Sequence, residues 1–513
     1  MKLYCPICRK SYNLEEGLLR CPESTEAASH PFVLKFEDGD FPQNLIEEIR
    51  NRYNSGELSF NAFKELLGSW HLANVHNKSD EWQKMVKTAS KMCEKNTSKG
   101  FVRTPLFKAD ELAKSIKADC NIFAKNETLQ LMGSHKSRHL AGSIIYLETL
   151  RMLKGGHKKP LAIFSCGNAA LGASAAAKAF DYPLYTFVPE HVDSKIENLL
   201  TNLDAKVVKV SREGQVGEGD PCNIRFREAL NKLNFVPFSC YGYDIWSSIE
   251  GAEPLAYEFF FDMEKYQTDI DAFIVQIGGG GLAKSMINGI QNLLKLGIIK
   301  KLPRFYTVQT ASCYPLAKSY FAILKEASLK GAVTLAENLK SAVETDIDPK
   351  DILEKYPQEL NSFAKELSSN FSSNQALQKV LLDVAAQRSN FFKAWADNVP
   401  ESIAEGILDD TTYDGLEVVI GMLESGGLPL IADEKTLDKA NKLTKKATNI
   451  NVSATGTASV AAVIEMATKG LINSNENIGL LLTGIGSRET SRKTKEHNVI
   501  TLGRSENINK ILD

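Results

Sequence analysis

The chain has 513 residues, 43% hydrophobic and 24% charged, which is enough for two or more domains with sizeable cores. Lys and Arg number 61 against 63 Asp and Glu, a net charge of -2, so no overall field favours nucleic acid or an anionic membrane, and an anionic ligand must be held by a local site. The start, MKLYCPICRK, has no apolar core of signal-peptide length and no later stretch approaches a membrane span, which predicts a cytoplasmic protein or one exported without a cleaved signal.

The nine cysteines are odd in number and scattered, as expected of reduced thiols rather than a disulfide framework. Only the first three are grouped: Cys5 and Cys8 form a C-x-x-C, Cys21 follows, and His30 lies nine positions further on. Four such ligands suit a tetrahedral structural zinc ion. The second half of the pattern is irregular, with Ser24 where a fourth cysteine is expected, so a small hairpin with unliganded cysteines is the alternative.

After this segment, residues 1–40, apolar positions at helical spacing such as Leu45, Ile46 and Ile49 predict a helical connector over 41–100. From Phe101 short apolar runs alternate with amphipathic segments. Ala162 to Phe164 precedes a helix over Ala169 to Phe180, Leu184 to Val188 precedes Ser194 to Leu203, and Lys206 to Val210 follows. This is the β-α-β rhythm of a parallel sheet covered by helices. A second set comprises Ala272 to Ile277, a helix from Leu282, and Phe305 to Gln309. The sheet pattern then stops, and 315–447 reads as a mainly helical insertion before a last strand, Ile478 to Leu482. The expected fold is α/β, two open and mostly parallel sheets covered by helices, with catalytic halves over 101–250 and 251–505.

Gly278, Gly279, Gly280 and Gly281 end an apolar strand just before a helix starting near Leu282. Without Cβ atoms such a turn brings several N–H groups to an anion, and the helix N-terminus favours negative charge, as a phosphate requires. A plain strand-to-helix turn has the same composition. Ser165-Cys166-Gly167-Asn168-Ala169 repeats the arrangement and suits a carboxylate, with Asn168 able to donate to a phenolic oxygen; helix capping alone is the other reading. Gly133-Ser134-His135-Lys136-Ser137-Arg138 puts a lysine in a polar turn before an apolar helix, and Thr483 ends the last strand. A phosphate cradle, a carboxylate cradle and one lysine are the parts a cofactor with its own phosphate and aldehyde needs.

In order, Thr104-Pro105-Leu106, Lys125-Asn126-Glu127, the turn of Lys136, Ser165 to Asn168, Gly278 to Gly281 and Thr483-Gly484 resemble the fold-type-II pyridoxal-phosphate enzymes, threonine synthase being the nearest likeness. The resemblance covers about residues 101 to 490 and lies in the order of the motifs. It implies that Lys136 holds pyridoxal 5'-phosphate as a Schiff base, with His135 beside it. Asn168 would bond the ring hydroxyl oxygen, Gly278 to Gly281 with Leu282 would bind the phosphate, and Thr483 would face the pyridine nitrogen. Ser165, Cys166 and Ala169 would surround the carboxylate of an amino-acid substrate. The cysteine segment resembles one found before the catalytic region in some threonine-synthase-like proteins, and the likeness implies a homodimer.

Two departures stand out. Ser137 replaces the usual acidic residue after the lysine, and no set of cations suits a substrate phosphate. Arg388, Asp409 and Asp410 of the insertion are expected near the substrate pocket. The reaction implied is elimination or replacement of a β or γ substituent, led by threonine synthesis from O-phosphohomoserine. The alternatives are β-elimination or β-replacement on serine-like or cysteine-like substrates, and a binding protein that keeps the fold without turnover.

Overall fold

The computed structural model describes residues 1–513 apart from 26–29, 37–40, 212–219, 398, 488–497, 504–505 and 513. Strands β1 (Lys2–Tyr4), β2 (Ser11–Tyr12) and β3 (Val33–Lys35) form a small antiparallel sheet at the amino terminus. Then β4 (Leu106–Lys108) and β5 (Cys120–Asn126) open a larger sheet. The chain leaves it to build a second sheet from β6 (Leu161–Phe164), β7 (Leu184–Pro189), β8 (Lys206–Val210) and β9 (Val236–Pro237). It returns to the first with β10 (Ala272–Gln276), β11 (Arg304–Thr310), β12 (Pro429–Ala432) and β13 (Glu476–Leu482), and ends in the second with β14 (Val499–Leu502). The orders are β12-β11-β10-β13-β5-β4 and β14-β8-β7-β6-β9. Every pairing in these two sheets is parallel except β4 with β5. The expected α/β architecture of two open, mostly parallel sheets is therefore present.

Sequence and position agree in the central strands. β10 is AFIVQ and buried at every residue, as a strand covered on both faces must be. The helix Asn168–Ala179 follows β6, and Gly281–Lys295 follows β10, within a residue of where periodicity places them. One difference lies in the insertion: residues 429–432 are not helical but form β12, which extends the first sheet beside β11. Four residues between long helices carry too little periodicity to announce a strand. No helix among the described residues is long and apolar enough to cross a membrane.

The helix Lys136–Lys154 crosses Trp246–Ala252 at a pair of glycines. A Cβ on Gly142 would lie 2.2 Å from Gly251 Cα, and one on Gly251 would lie 2.6 Å from Gly142 Cα, so the two backbones touch. The amino-terminal sheet closes over the same pair of helices. Leu18 O accepts from Trp246 Nε1 at 2.9 Å and from the Tyr146 hydroxyl at 3.2 Å, and Leu19 O accepts from Trp246 N at 2.9 Å.

Gly142→Ala tests this contact because two effects oppose. Alanine gains about 1 kcal/mol of helix propensity, whereas overpacking costs about 1–3 kcal/mol and more where only backbone can yield. The urea midpoint is expected to fall; a rise would show that the helices separate freely.

Candidate active site

Three motifs that are far apart in the sequence meet in one buried network. Arg138 Nε donates to Glu127 Oε2 at 2.7 Å and Nη2 to Glu127 Oε1 at 2.9 Å; Nη1 and Nη2 donate to Glu258 at 2.6 and 3.0 Å. Lys125 Nζ reaches Glu258 at 3.1 Å, Asp262 at 3.0 Å and Thr104 O at 2.7 Å. The Thr104 hydroxyl donates to Glu127 and the Ser59 hydroxyl to Glu258. Burial alone would raise the Glu258 carboxyl, but Arg138 and Lys125 outweigh it and hold it at about 2. This network fixes the first turn of the helix Lys136–Lys154. Ser137 faces the helix Asn168–Ala179, where a Cβ on Gly172 would lie 3.1 Å from Ser137 Oγ, and its hydroxyl donates to Leu131 O at 2.6 Å.

Lys136 is the first residue of its helix and half-buried. Its Nζ forms no hydrogen bond or ion pair among the described residues and lies 5.9 Å from the centre of the Tyr241 ring. The buried lysines Lys125 and Lys284 are both ion-paired, Lys284 with Asp414 at 3.1 Å. Lys136 thus keeps its amine uncommitted.

The turn that carries Lys136 is stapled to the end of β13. Ser134 bridges Gly484, Ile485 N donates to Gly133 O at 2.8 Å, and Thr483 O accepts from His135 N at 3.2 Å and from His135 Nδ1 at 3.1 Å. Burial and the Lys136 charge hold His135 well below its usual range, and the same two causes bring His139 to about 3. Both rings are therefore neutral beside Lys136. Gln276 Nε2 donates to Thr455 O at 3.2 Å, Gly456 O at 3.3 Å, Leu481 O at 3.2 Å and Thr483 Oγ1 at 2.7 Å. Three carbonyls fix the amide orientation, so Thr483 Oγ1 accepts and its own proton points elsewhere.

Gly278 to Gly281 lie at the end of β10, with Leu282 buried in the following helix. The insertion crosses this turn. Gly279 N donates to Asp409 Oδ2 at 2.7 Å, and Gly279 O accepts from Asp414 N at 2.9 Å. A Cβ on Gly278 would lie 2.1 Å from Asp409 Oδ2. The Tyr241 hydroxyl donates to Asp409 Oδ1 at 3.1 Å. Burial raises the Asp409 carboxyl, with Lys136 opposing, and burial and Asp409 raise Asp410. Arg388, expected near the substrate, is buried and supports the crossing segment, its Nη2 donating to Thr412 O and Tyr413 O.

The second cradle belongs to the other sheet. Gly167 N donates to Ser165 Oγ at 3.3 Å, Cys166 is exposed, and Asn168 and Ala169 open the helix. A methyl on Gly484 would stand 3.1 Å from Asn168 Nδ2, so this turn reaches the residue after Thr483. The structure thus brings Lys136, His135, Asn168, Thr483 and the glycine turn together where the carboxyl end of β6 in one sheet meets those of β10 and β13 in the other, the end of open α/β sheets that binds ligands. Cys5, Cys8, Cys21 and His30 lie apart from it, their ligand atoms within 4.8 Å of one another. Motif patterns alone do not single out Glu258, Gln276 or Tyr241. The first two nevertheless sit inside the apolar runs AYEFF and FIVQI, and an isolated polar residue there is a usable signal because burial demands a partner.

The family model described as pyridoxal-phosphate dependent enzyme matches residues 97–366, more than half of the chain, and the chain belongs to this family. Relatives include the catabolic L-serine/threonine dehydratase of Saccharomyces cerevisiae, 25% identical over 44% of this chain and 62% of the relative. The biosynthetic L-threonine dehydratase of Lactococcus lactis is 29% identical over 33% of this chain and 38% of the relative. The chain thus spans less than two thirds of these relatives' length. The processed form of threonine deaminase isoform 2 from Solanum lycopersicum superposes with a TM-score of 0.50 at 14% identity, over 80% of this chain and 90% of that one. Serine racemase of Dictyostelium discoideum does so at 0.51 and 16%, over 79% and 98%; at these identities the likeness concerns the fold.

Removing Glu258 leaves Arg138 and Lys125 buried without their partner, which costs about 3–5 kcal/mol. Glu258→Ala should lose that much in urea unfolding, whereas Glu111→Ala, in an exposed pair with Lys114, should change it by less than about 0.5 kcal/mol. The Glu258 carboxyl is held below its ordinary 4.5, so its stabilisation is complete above that pH and is lost as pH falls toward about 2. The gap between wild type and Glu258→Ala should narrow over that window; an unchanged gap would refute the charge argument.

Proposed function

We propose that the chain is a pyridoxal-phosphate-dependent lyase that removes water from a β-hydroxy amino acid of the serine or threonine class. The observation that carries this reading is the uncommitted amine of Lys136 in a turn stapled to Thr483. The residues present fit the cofactor. Lys136 is free to take its aldehyde, the Thr483 proton is available to a ring nitrogen because Gln276 occupies the hydroxyl oxygen, and the Gly279 N–H, which donates to an Asp409 oxygen, could donate to a phosphate oxygen instead.

When bound, pyridoxal phosphate supplies an aldehyde for the substrate amine and a conjugated ring that spreads the negative charge left at the α-carbon. Lys136 Nζ takes the α-proton and delivers a proton to the departing β-hydroxyl. Thr483, whose hydroxyl oxygen already accepts from Gln276, would offer a neutral hydroxyl to the ring nitrogen, a partner that suits loss of a β substituent better than transamination. Asn168 would bond the ring oxygen, His135 holds Thr483 in place, and the turn of Ser165, Cys166 and Ala169 would hold the substrate carboxylate at a helix N-terminus. The enamine released with water hydrolyses to a 2-oxo acid and ammonia.

The relatives favour this over threonine synthesis, the first expectation: they are named for serine and threonine dehydration. The purified chain should form 2-oxo acid and ammonia from serine or threonine, with Lys136→Ala lowering the rate by about 10²-fold or more. Phosphate release from O-phosphohomoserine without such turnover would return the assignment to threonine synthesis.

For the amino-terminal group we propose structural zinc. A tetrahedral ion with Zn–S near 2.3 Å and Zn–N near 2.0 Å sets ligand atoms roughly 3.5–3.8 Å apart. Cys8 Sγ and Cys21 Sγ are separated by 3.7 Å, and His30 Nδ1 lies 3.7 Å from Cys5 Sγ and 4.0 Å from Cys21 Sγ. Full-length protein should carry one equivalent of zinc, and Cys8→Ser should lose it together with thermal stability, because Leu18 and Leu19 tie this segment to Trp246. Protein that holds no zinc after growth and purification with the metal would sink the assignment.

A further inference from the structure

In the loop that crosses the glycine turn, two aspartates differ sharply in their partners. Asp414 is locked: Oδ1 accepts from Lys284 Nζ at 3.1 Å, Oδ2 from Gly242 N at 3.0 Å, and its own N donates to Gly279 O. The Asp409 carboxylate has the Gly279 N–H and the Tyr241 hydroxyl as its hydrogen-bond partners and forms no ion pair among the described residues, and the residue is half-buried. At the other end of the loop, Gly406 N donates to Thr455 Oγ1 at 3.0 Å. Between these anchors Trp395 N donates to Asp410 O at 2.7 Å, Cys313 Sγ donates to Asp409 O at 3.5 Å and Ile407 is buried, so taking the Asp409 carboxylate off the turn means giving up backbone contacts of residues 407–411 as well as the Gly279 bond.

The glycine turn is also the part of this site built to take an anion at a helix N-terminus. One N–H cannot serve two anions, and a carboxylate beside a phosphate disfavours both charges. We propose that Asp409 is an internal competitor for the phosphate of the cofactor, and that phosphate binding at Gly278 to Gly281 requires residues 407–411 to swing Asp409 off Gly279. The proposal rests on the cofactor reading given above and adds to it an autoinhibitory contact that makes cofactor loading and the position of the insertion loop one equilibrium. A ligand or partner that pulls the loop outward then favours loading, and one that presses it inward favours release.

The test compares pyridoxal phosphate with pyridoxal, which has the aldehyde but no phosphate. Protein is stripped of cofactor by dialysis against an amine scavenger, and binding is followed by tryptophan fluorescence. Asp409→Asn keeps the shape and removes the charge; it should bind pyridoxal phosphate about tenfold or more tightly than wild type, with pyridoxal changed by less than about twofold. Circular dichroism checks that the variant is folded. Should it not fold, hydrogen exchange on the wild type decides the matter: pyridoxal phosphate should slow exchange at 279–281 and speed it at 407–411, and pyridoxal should leave 407–411 unchanged. Equal or weaker phosphate-dependent binding in Asp409→Asn, or protection of 407–411 on loading, overturns the proposal while leaving the cofactor reading intact. Failure of the wild type to bind pyridoxal phosphate in a Lys136-dependent way overturns both.

Discussion

The structure depends on the double fork of Arg138 between Glu127 and Glu258. Two cations, Arg138 and Lys125, and the carboxylates of Glu127, Glu258 and Asp262 share one site behind the first turn of the lysine helix. A buried network of this kind is a poor source of net stability, because desolvating each charge offsets most of its attraction. Its consequence here is positional. The fork is rigid and bidentate on both sides, so the helix start has one place relative to β5 and to the helix carrying Glu258. Lys136, two residues earlier, inherits that place.

On the other side of Lys136 the control is different in kind. His135 and Ser134 tie the turn to the end of β13, and Gln276 sets the direction of the Thr483 proton by filling its oxygen. Neutral histidines keep positive charge away from the amine, while burial disfavours the charged form of Asp409 at the glycine turn. A charged network therefore fixes where the lysine is, and a largely neutral one fixes how the groups around it donate and accept.

The parts of this molecule legible in the sequence are those that local pattern dictates. Apolar runs announce β6, β7, β8, β10 and β11, and glycine or small polar turns after them announce the anion cradles. The strand β5 is less legible: CNIFAKN contains Lys125 and Asn126, which read as surface residues until the partners of Lys125 arrive from residues 258 and 262. Glu258, in a helix that is otherwise largely aromatic and aliphatic, is obscure for the same reason. The crossing of Asp409 over Gly279 spans about 130 residues, and no local rule predicts which loop of a long insertion will meet a distant turn. The motif order reveals the family because it records such meetings indirectly.

The register of β13 with β5 has a consequence for how the protein comes into being. β13 pairs with β5 from Glu476 opposite Cys120 to Leu482 opposite Asn126, so a strand near the amino end of the catalytic region has its neighbour supplied about 350 residues later. At about 5–20 residues per second, translation separates the two by roughly 20 to 70 seconds. Throughout that interval β5 carries an open edge, and the turn of Lys136 lacks the strand end that staples it. Lys136 is made early, but the strand end that holds its turn follows only with β13, and the nascent chain must keep its unpaired edge from other partners until then.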